Sequence, residues 1–382
     1  MDQRTFHIVR IVLAGVIFSA RLVEESSAQN QTNVNPALPT VTVTNSLQSV
    51  PESQTQKAIA CVNSGDAKFT GGDADGALAD YARALELDPN LLSACYNRAI
   101  VRQSRGDLDG ALSDFNHALQ INPNMASAFF NRGSIKQARN DLAGALADLN
   151  RGLELNPNFA KAYVARAGVK QTMGDADGAL ADYNRAVELD PKLESAYKTR
   201  GDLQIGSAES EGALTGALEG AITDFDHVLA LDPTNALALV SRSFAKGTKA
   251  DWPGALADCD RAIEIDPKLT KAYLLRGMIE CQTRDCKGAV ADFSRVLDAE
   301  PKNANVYAYR SQAEMLLHDY AATVADCTRV IELDTNNADA YDLRSCAEIF
   351  TDDMTGAKSD YKRAHELNPA LYPDRNDTGS GK

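Results

Sequence analysis

The chain has 382 residues, 24% of them charged and 6% aromatic, and a net charge of −14. That balance argues against a nucleic-acid partner, because phosphate binding needs clustered Lys and Arg, and an acidic surface favours solubility and repels anionic membranes. Seven cysteines fall at no metal-like spacing, and an odd number cannot close a complete disulfide framework.

At the N-terminus, Arg4, His7 and Arg10 lead into the apolar run Ile11 to Ala20, and Ser26-Ser27-Ala28 offers a small-residue cleavage site. Residues 1–28 are therefore expected to be a secretory signal, with export to a periplasmic or extracellular location. The competing reading is an uncleaved membrane anchor, although the run is shorter than the roughly 20 residues a spanning helix needs. Residues 29–57, rich in Gln, Asn, Thr, Ser, Val and Pro with no helical period, read as a flexible polar linker.

Residues 58–371 repeat. Pro89, Pro123, Pro157 and Pro191 are each 34 residues apart; after one gap of 42, Pro233, Pro267 and Pro301 resume the step, and Thr335 and Pro369 complete the series. Such a period predicts helical pairs that bury apolar surface only against their neighbours. Nine repeats result: 58–91, 92–125, 126–159, 160–193, 194–235, 236–269, 270–303, 304–337 and 338–371. Asp107, Asp141, Asp175, Asp251, Asp285, Asp319 and Asp353 each stand just before a second helix, where a carboxylate accepts from free backbone N–H groups. Each closing proline cannot donate to a continuing helix and stops it.

Small residues recur at fixed places: Gly65, Gly133, Gly201 and Gly277 in first helices, and Ala77, Ala111, Ala145, Ala179, Ala221, Ala255, Ala289 and Ala357 in second helices. A large residue follows four later in most repeats, as at Tyr81, Phe115, Leu149, Tyr183, Phe225, Phe293 and Tyr361. This pattern resembles the tetratricopeptide repeat family over about four-fifths of the chain. The resemblance implies an all-α fold, an α-solenoid wound as a right-handed superhelix of helix-turn-helix repeats. It also implies a concave groove, lined mainly by first helices, that binds extended peptides or partner helices. Ser243, Ser311 and Ser345 depart from the family glycine, and Thr335 from its proline.

The fifth repeat carries eight extra residues within Gly206 to Gly220. They are either a longer inter-helix loop or about two more helical turns; Gly206, Gly212 and Gly216 favour a partly helical loop.

Two charged columns run through the array. Arg98, Arg132, Arg166, Arg200, Arg242, Arg276, Arg310 and Arg344 recur in first helices, and Asp80, Asp114, Asp148, Asp182, Asp224, Asp258, Asp292, Asp326 and Asp360 in second helices. An arginine usually stands three residues after the aspartate, as Arg185 after Asp182, at a spacing that supports a helix. The columns read as salt bridges stitching helices together rather than a charge ladder for ligands.

On the groove face, the first half would present Asn63, Asn97 and Asn131 with Tyr96, Phe130, Gln103, Gln137 and Gln171. A primary amide both donates and accepts, so an asparagine column suits the main chain of an extended peptide. The resemblance extends to family members such as O-linked GlcNAc transferases, which hold a peptide backbone this way. The second half offers Val240, Phe244, Leu274, Met278, Met315, Leu316 and Phe350, suited to an amphipathic helix. The clamp of lysine, asparagine and arginine that holds heat-shock chaperone tails in this family is not matched.

No phosphate loop, metal spacing or nucleophile motif appears, and the five histidines are scattered. The expectation is a non-catalytic scaffold or adaptor for protein or peptide partners, with no cofactor, metal, nucleic acid or small-molecule substrate. The alternative is a structural subunit of a membrane-associated assembly, with membrane contact only if the N-terminal segment is retained. Cys61, Cys95, Cys259 and Cys327 read as small buried hydrophobes, while Cys281 with Cys286, or Cys327 with Cys346, are the candidate disulfide pairs. Residues 372–382 read as a frayed tail.

Overall fold

The computed structural model describes residues 53–206 and 211–372, apart from the side chains of 211–214, and every regular element among them is an α-helix. The first helices of the repeats are α1 (Gln54–Thr70), α3 (Leu92–Ser104), α5 (Ala126–Ala138), α7 (Ala160–Thr172), α9 (Glu194–Gly206), α11 (Ala236–Thr248), α13 (Thr270–Gln282), α15 (Ala304–Leu316) and α17 (Ala338–Phe350). The second helices are α2 (Ala74–Leu87), α4 (Leu108–Ile121), α6 (Leu142–Leu155), α8 (Ala176–Leu189), α10 (Glu211–Leu231), α12 (Trp252–Ile265), α14 (Cys286–Ala299), α16 (Tyr320–Leu333) and α18 (Met354–Leu367). The signal or anchor over 1–28 and nearly all of the linker lie outside the described residues. The linker ends early, because α1 starts at Gln54 under a Ser53–Gln56 capping box.

Local chemistry sets the boundaries. Asp73 and the seven expected aspartates each accept a hydrogen bond from the backbone N–H three residues on, at 2.8–3.2 Å. At the other end of seven second helices, the residue before the proline or threonine accepts from the N–H two residues later, at 2.9–3.2 Å. Asp88, Asn122 and Asp266 there adopt extended backbone, which the ring of a following proline favours. Between the paired helices the chain turns through a left-handed residue, at Gly72, Gly106, Asn140, Gly174, Ala250, Arg284, His318 and Asp352.

Packing follows the small-and-large pattern. Tyr81, Phe115, Leu149, Phe225 and Phe293 are fully buried, and Ala77, Ala111, Ala145, Ala221 and Ala289, four residues before them, have no exposed surface. A Cβ built on Gly277 would sit 2.9 Å from the Phe293 ring, and one on Gly65 would sit 2.7 Å from that of Tyr81. Where serine replaces the glycine, Ser243 and Ser345 remain buried because each hydroxyl donates to a second-helix carbonyl, of Ala255 and Ala357, at 2.8 Å.

The charged columns meet across the hairpins. Arg98 Nε and Nη2 donate to Asp114 at 2.9 and 2.7 Å, and Arg132, Arg166, Arg242, Arg276, Arg310 and Arg344 hold the aspartate 16 residues on in the same fork. The remaining Nη1 reaches the preceding repeat: Arg132 to Asn116, Arg166 to Asn150, Arg200 to Asn184, Arg242 to Asp226, Arg276 to Asp260, Arg310 to Ser294 and Arg344 to Thr328, at 2.6–2.9 Å. One guanidinium thus ties three helices, and in six repeats it also stacks over the aromatic ring three residues earlier, 5.3–5.7 Å from the centroid. The within-helix pairing expected for Asp182 with Arg185 does not form. Arg185 bonds Glu188 at 3.0 Å, because Asp182 faces the buried hairpin seam where Arg166 and Lys170 already occupy it.

The chain divides between Ser207 and Ala208 into two compact bodies. The N-terminal body holds four hairpins and α9; the C-terminal body holds α10 and four hairpins. The insertion is resolved in favour of helix rather than loop, since α10 has 21 residues where every other second helix has 14. Leu218 is buried on it and Glu219 pairs with Lys249 at 2.7 Å, contacts that offset the cost of Gly216 within a helix. Tyr372, assigned to the tail, belongs to the fold: it is buried, its hydroxyl donates to Asp339, and its carbonyl accepts from His365 Nδ1 at 2.7 Å. No helix among the described residues is long and apolar enough to cross a membrane.

Candidate functional site

Within each body, successive first helices touch one another, whereas no pair of second helices comes comparably close among the described residues. The first helices therefore crowd towards one side, and their shared face is the candidate binding surface.

In the N-terminal body that face is polar, but much of its polarity is already engaged. Asn131 is buried; its amide donates to the Tyr96 hydroxyl at 3.0 Å and to the Ser127 carbonyl at 2.9 Å. Tyr96 is buried as well, with its ring edge-on to Phe115. Asn97 donates to Asp66 Oδ1 at 2.8 Å, and the same oxygen accepts from the Tyr81 hydroxyl at 2.6 Å. The asparagine column is thus corrected from an open ladder to a set of staples between adjacent first helices. These helices approach closely enough for an amide on one to reach a partner on the one before. Asn63 stands at the end of the column, with no earlier repeat to reach, and is exposed.

What the face still presents is Asn63, half-buried Gln103 and Gln137, exposed Gln171, and Phe130. Gln171 accepts from the Tyr183 hydroxyl at 3.3 Å, and Phe130 packs against Phe159 with centroids 4.9 Å apart. Asp66 escaped the sequence reading; its signal was an acidic residue on the groove face, three positions beyond Asn63.

In the C-terminal body the face is apolar. Met278 is buried, so it is withdrawn as a ligand contact. Val240, Phe244, Leu274 and Met315 are half-buried. Leu316 and Phe350, at the ends of α15 and α17, are 47% and 59% exposed, and Leu317, Ile349 and Met354 close by in sequence are also exposed. Phe350 stacks on Tyr320 with centroids 4.3 Å apart. This group lies at the helix ends, next to the hairpin turns, which is why groove spacing captured only part of it.

The seven cysteines are free thiols. Burial pushes Cys95 up to about 11 and Cys259, Cys281 and Cys327 up to about 12, which makes them weak nucleophiles. Cys95, Cys259 and Cys327 are buried as small hydrophobes should be, and Cys61 is partly so. No cluster of metal-ligating side chains occurs among the described residues.

Residues 62–126 and 160–193 match models of the tetratricopeptide repeat. No curated protein matches the chain. Among solved structures, it is similar to the C-terminal part of a TPR repeat-containing protein from Cytophaga hutchinsonii. That likeness has a TM-score of 0.53, 15% identity, and covers 65% of this chain and 98% of that one. It is also similar to the APC/C hetero-tetramer Cut9–Hcn1, with a TM-score of 0.51, 17% identity, and 75% of this chain and 55% of that one covered. At such identities the likeness speaks for the fold alone. Joined to the matched repeats, the 34-residue step and the helical hairpins of both bodies, it makes the chain a tetratricopeptide repeat protein.

Proposed function

We propose that this chain is a non-catalytic scaffold that holds segments of partner proteins against the shared face of its first helices. The observation that carries the reading is the exposed apolar group of repeats eight and nine, centred on Leu316 and Phe350. Large apolar side chains exposed to water on two successive repeats favour an occupant that covers them, and an amphipathic helix has the matching chemistry. The amides of Gln103, Gln137 and Gln171 suit the main chain of a more extended segment in the N-terminal body. We assign the binding to an exported protein, with the N-terminal apolar run as its signal; the alternative is an anchored subunit of a membrane-associated assembly.

Two measurements test this. Capture of partners by the full chain is compared with capture by a Leu316→Ser, Phe350→Ser variant of unchanged helicity. Loss of the captured proteins is expected, and identical capture would refute the apolar face as the binding surface. Mass spectrometry of the mature N-terminus decides location: Gln29 as first residue supports export, and intact Met1 or Asp2 supports the anchored reading or retention inside the cell.

A further inference from the structure

One position in the first helix, four residues after the column arginine (after Ser64 in the first repeat), holds a cation in repeats one to four and six. Lys68, Arg102, Lys136, Lys170 and Lys246 stand there, each pairing at 2.7–2.8 Å with the second-helix aspartate of its own repeat, while the fifth repeat has Gln204, whose amide can also donate. Arg102 and Lys170 donate in addition to the carbonyls of Gly110 and Gly178, at 3.3 and 3.2 Å. The site is a half-buried place where acceptors converge and a donor is required.

In three successive repeats the residue at that position is Glu280, Glu314 or Glu348. The carboxyls occupy the same place: a Cβ on Gly288 or Gly356, the counterparts of Gly110 and Gly178, would lie 2.9 and 3.0 Å from the carboxyl carbons of Glu280 and Glu348. The column arginine is 3.9, 3.6 and 3.8 Å away, beyond a good hydrogen bond, and is already committed to its aspartate. Oε2 of each glutamate is buried and has no hydrogen-bond partner among the described residues. Asp260, Asp285 and Asp292 face Glu280 alongside Arg276; Asp319 and Asp326 face Glu314 alongside Arg310; Asp353 and Asp360 face Glu348 alongside Arg344. Acids outnumber the single guanidinium at every site. An ionised glutamate only accepts, so it cannot do the work of the lysine it replaces, whereas a protonated one has an O–H to donate.

We propose that Glu280, Glu314 and Glu348 are protonated in the folded protein, each donating where five of the other six repeats use a Lys or Arg, and that repeats seven to nine therefore form an acid-strengthened block. Burial first, then the facing aspartate, pushes Glu280 and Glu348 up to about 7 and Glu314 up to about 8, from an ordinary 4.5. Because the folded form binds these protons more tightly than the unfolded chain, the stability they bring is fully present below 4.5. It declines as the pH rises above 4.5 and is gone above about 7 for Glu280 and Glu348 and above about 8 for Glu314. The inference concerns the stability of this block and does not depend on the proposed binding faces.

The test is hydrogen exchange of the full chain between pH 6 and 9, corrected for the intrinsic pH dependence of exchange. Protection over residues 270–367 should fall by about tenfold or more for each glutamate whose opening exposes it, while residues 92–189 change little. The E280Q/E314Q/E348Q variant, whose amides donate without ionising, should hold its protection at pH 9. An equal response in both stretches, or a response that survives in the triple variant, overturns the proposal. Should that variant not fold, E314Q alone is read over residues 304–333. Carbon-13 titration of the glutamate carboxyls gives a direct reading in the unaltered protein: three midpoints near 7 to 8 are expected, and none displaced from 4.5 would end the idea.

Discussion

The two bodies are built on one plan and differ in where they depart from it. Both use the bidentate Arg–Asp pair, the second-helix aspartate cap and the small residue under a large one. They differ at the turn, at the residue four past the column arginine, and on the shared first-helix face. Three of the four left-handed turn residues in the N-terminal body are Gly72, Gly106 and Gly174, whereas the C-terminal body uses Ala250, Arg284, His318 and Asp352. A side chain there costs about 1 kcal/mol per residue, a cost the surrounding packing absorbs. The lesson is that positions with strict geometric demands on three helices at once stay uniform. Positions answering to one neighbour vary, and it is there that the two bodies acquire different surfaces and different responses to pH.

The comparison is broken most sharply at the aspartates. Asp182→Ala leaves Arg166 and Lys170 partly buried without their carboxylate and should cost about 3 kcal/mol in urea unfolding followed by local hydrogen exchange. The equivalent Asp292→Ala should cost about half as much, since without the facing aspartate Glu280, 3.9 Å from Arg276, can ionise and take its place. Equal losses would mean that the glutamate is no substitute. Next come the glycines under large side chains. Gly277→Ala gains about 1 kcal/mol of helix propensity but drives a methyl into the fully buried Phe293 ring, for a net loss of about 1 kcal/mol. Gly133→Ala, which meets Leu149 at 3.0 Å, should come out near neutral in the same assay because an aliphatic side chain adjusts more readily than a ring. Ala250→Gly relieves a left-handed residue and should raise stability by about 0.5–1 kcal/mol, visible as a higher melting temperature. The smallest effect belongs to Arg185→Ala, which removes an exposed pair with Glu188 and should leave the melting temperature essentially unchanged.

Most of the fold was legible because it is local and periodic. Proline ends a helix wherever it stands, an aspartate before a helix caps it, and a 34-residue step leaves a hairpin no neighbour but the next hairpin. The candidate site was less legible. Asn131, Tyr96 and Met278 carry the right residue types on the right face, yet their burial depends on how near the adjacent first helix comes. The three glutamates went unnoticed because their effect lies in replacing a cation beside an aspartate 12 residues away in sequence, a contact visible only once both helices are placed.

By itself, the order of residues determined the helices, their pairing, seven of the second-helix aspartate caps and the existence of the charged columns, since each follows from a local or periodic pattern. Tertiary structure alone decided which partner each polar group took: Asp182 chose Arg166 over Arg185, Asn97 chose Asp66 over solvent, and the insertion became helix where Leu218 found something to bury against. The physical reason is competition. Several partners are within reach of each side chain, and only the distances between packed helices say which of them is paid for in lost water.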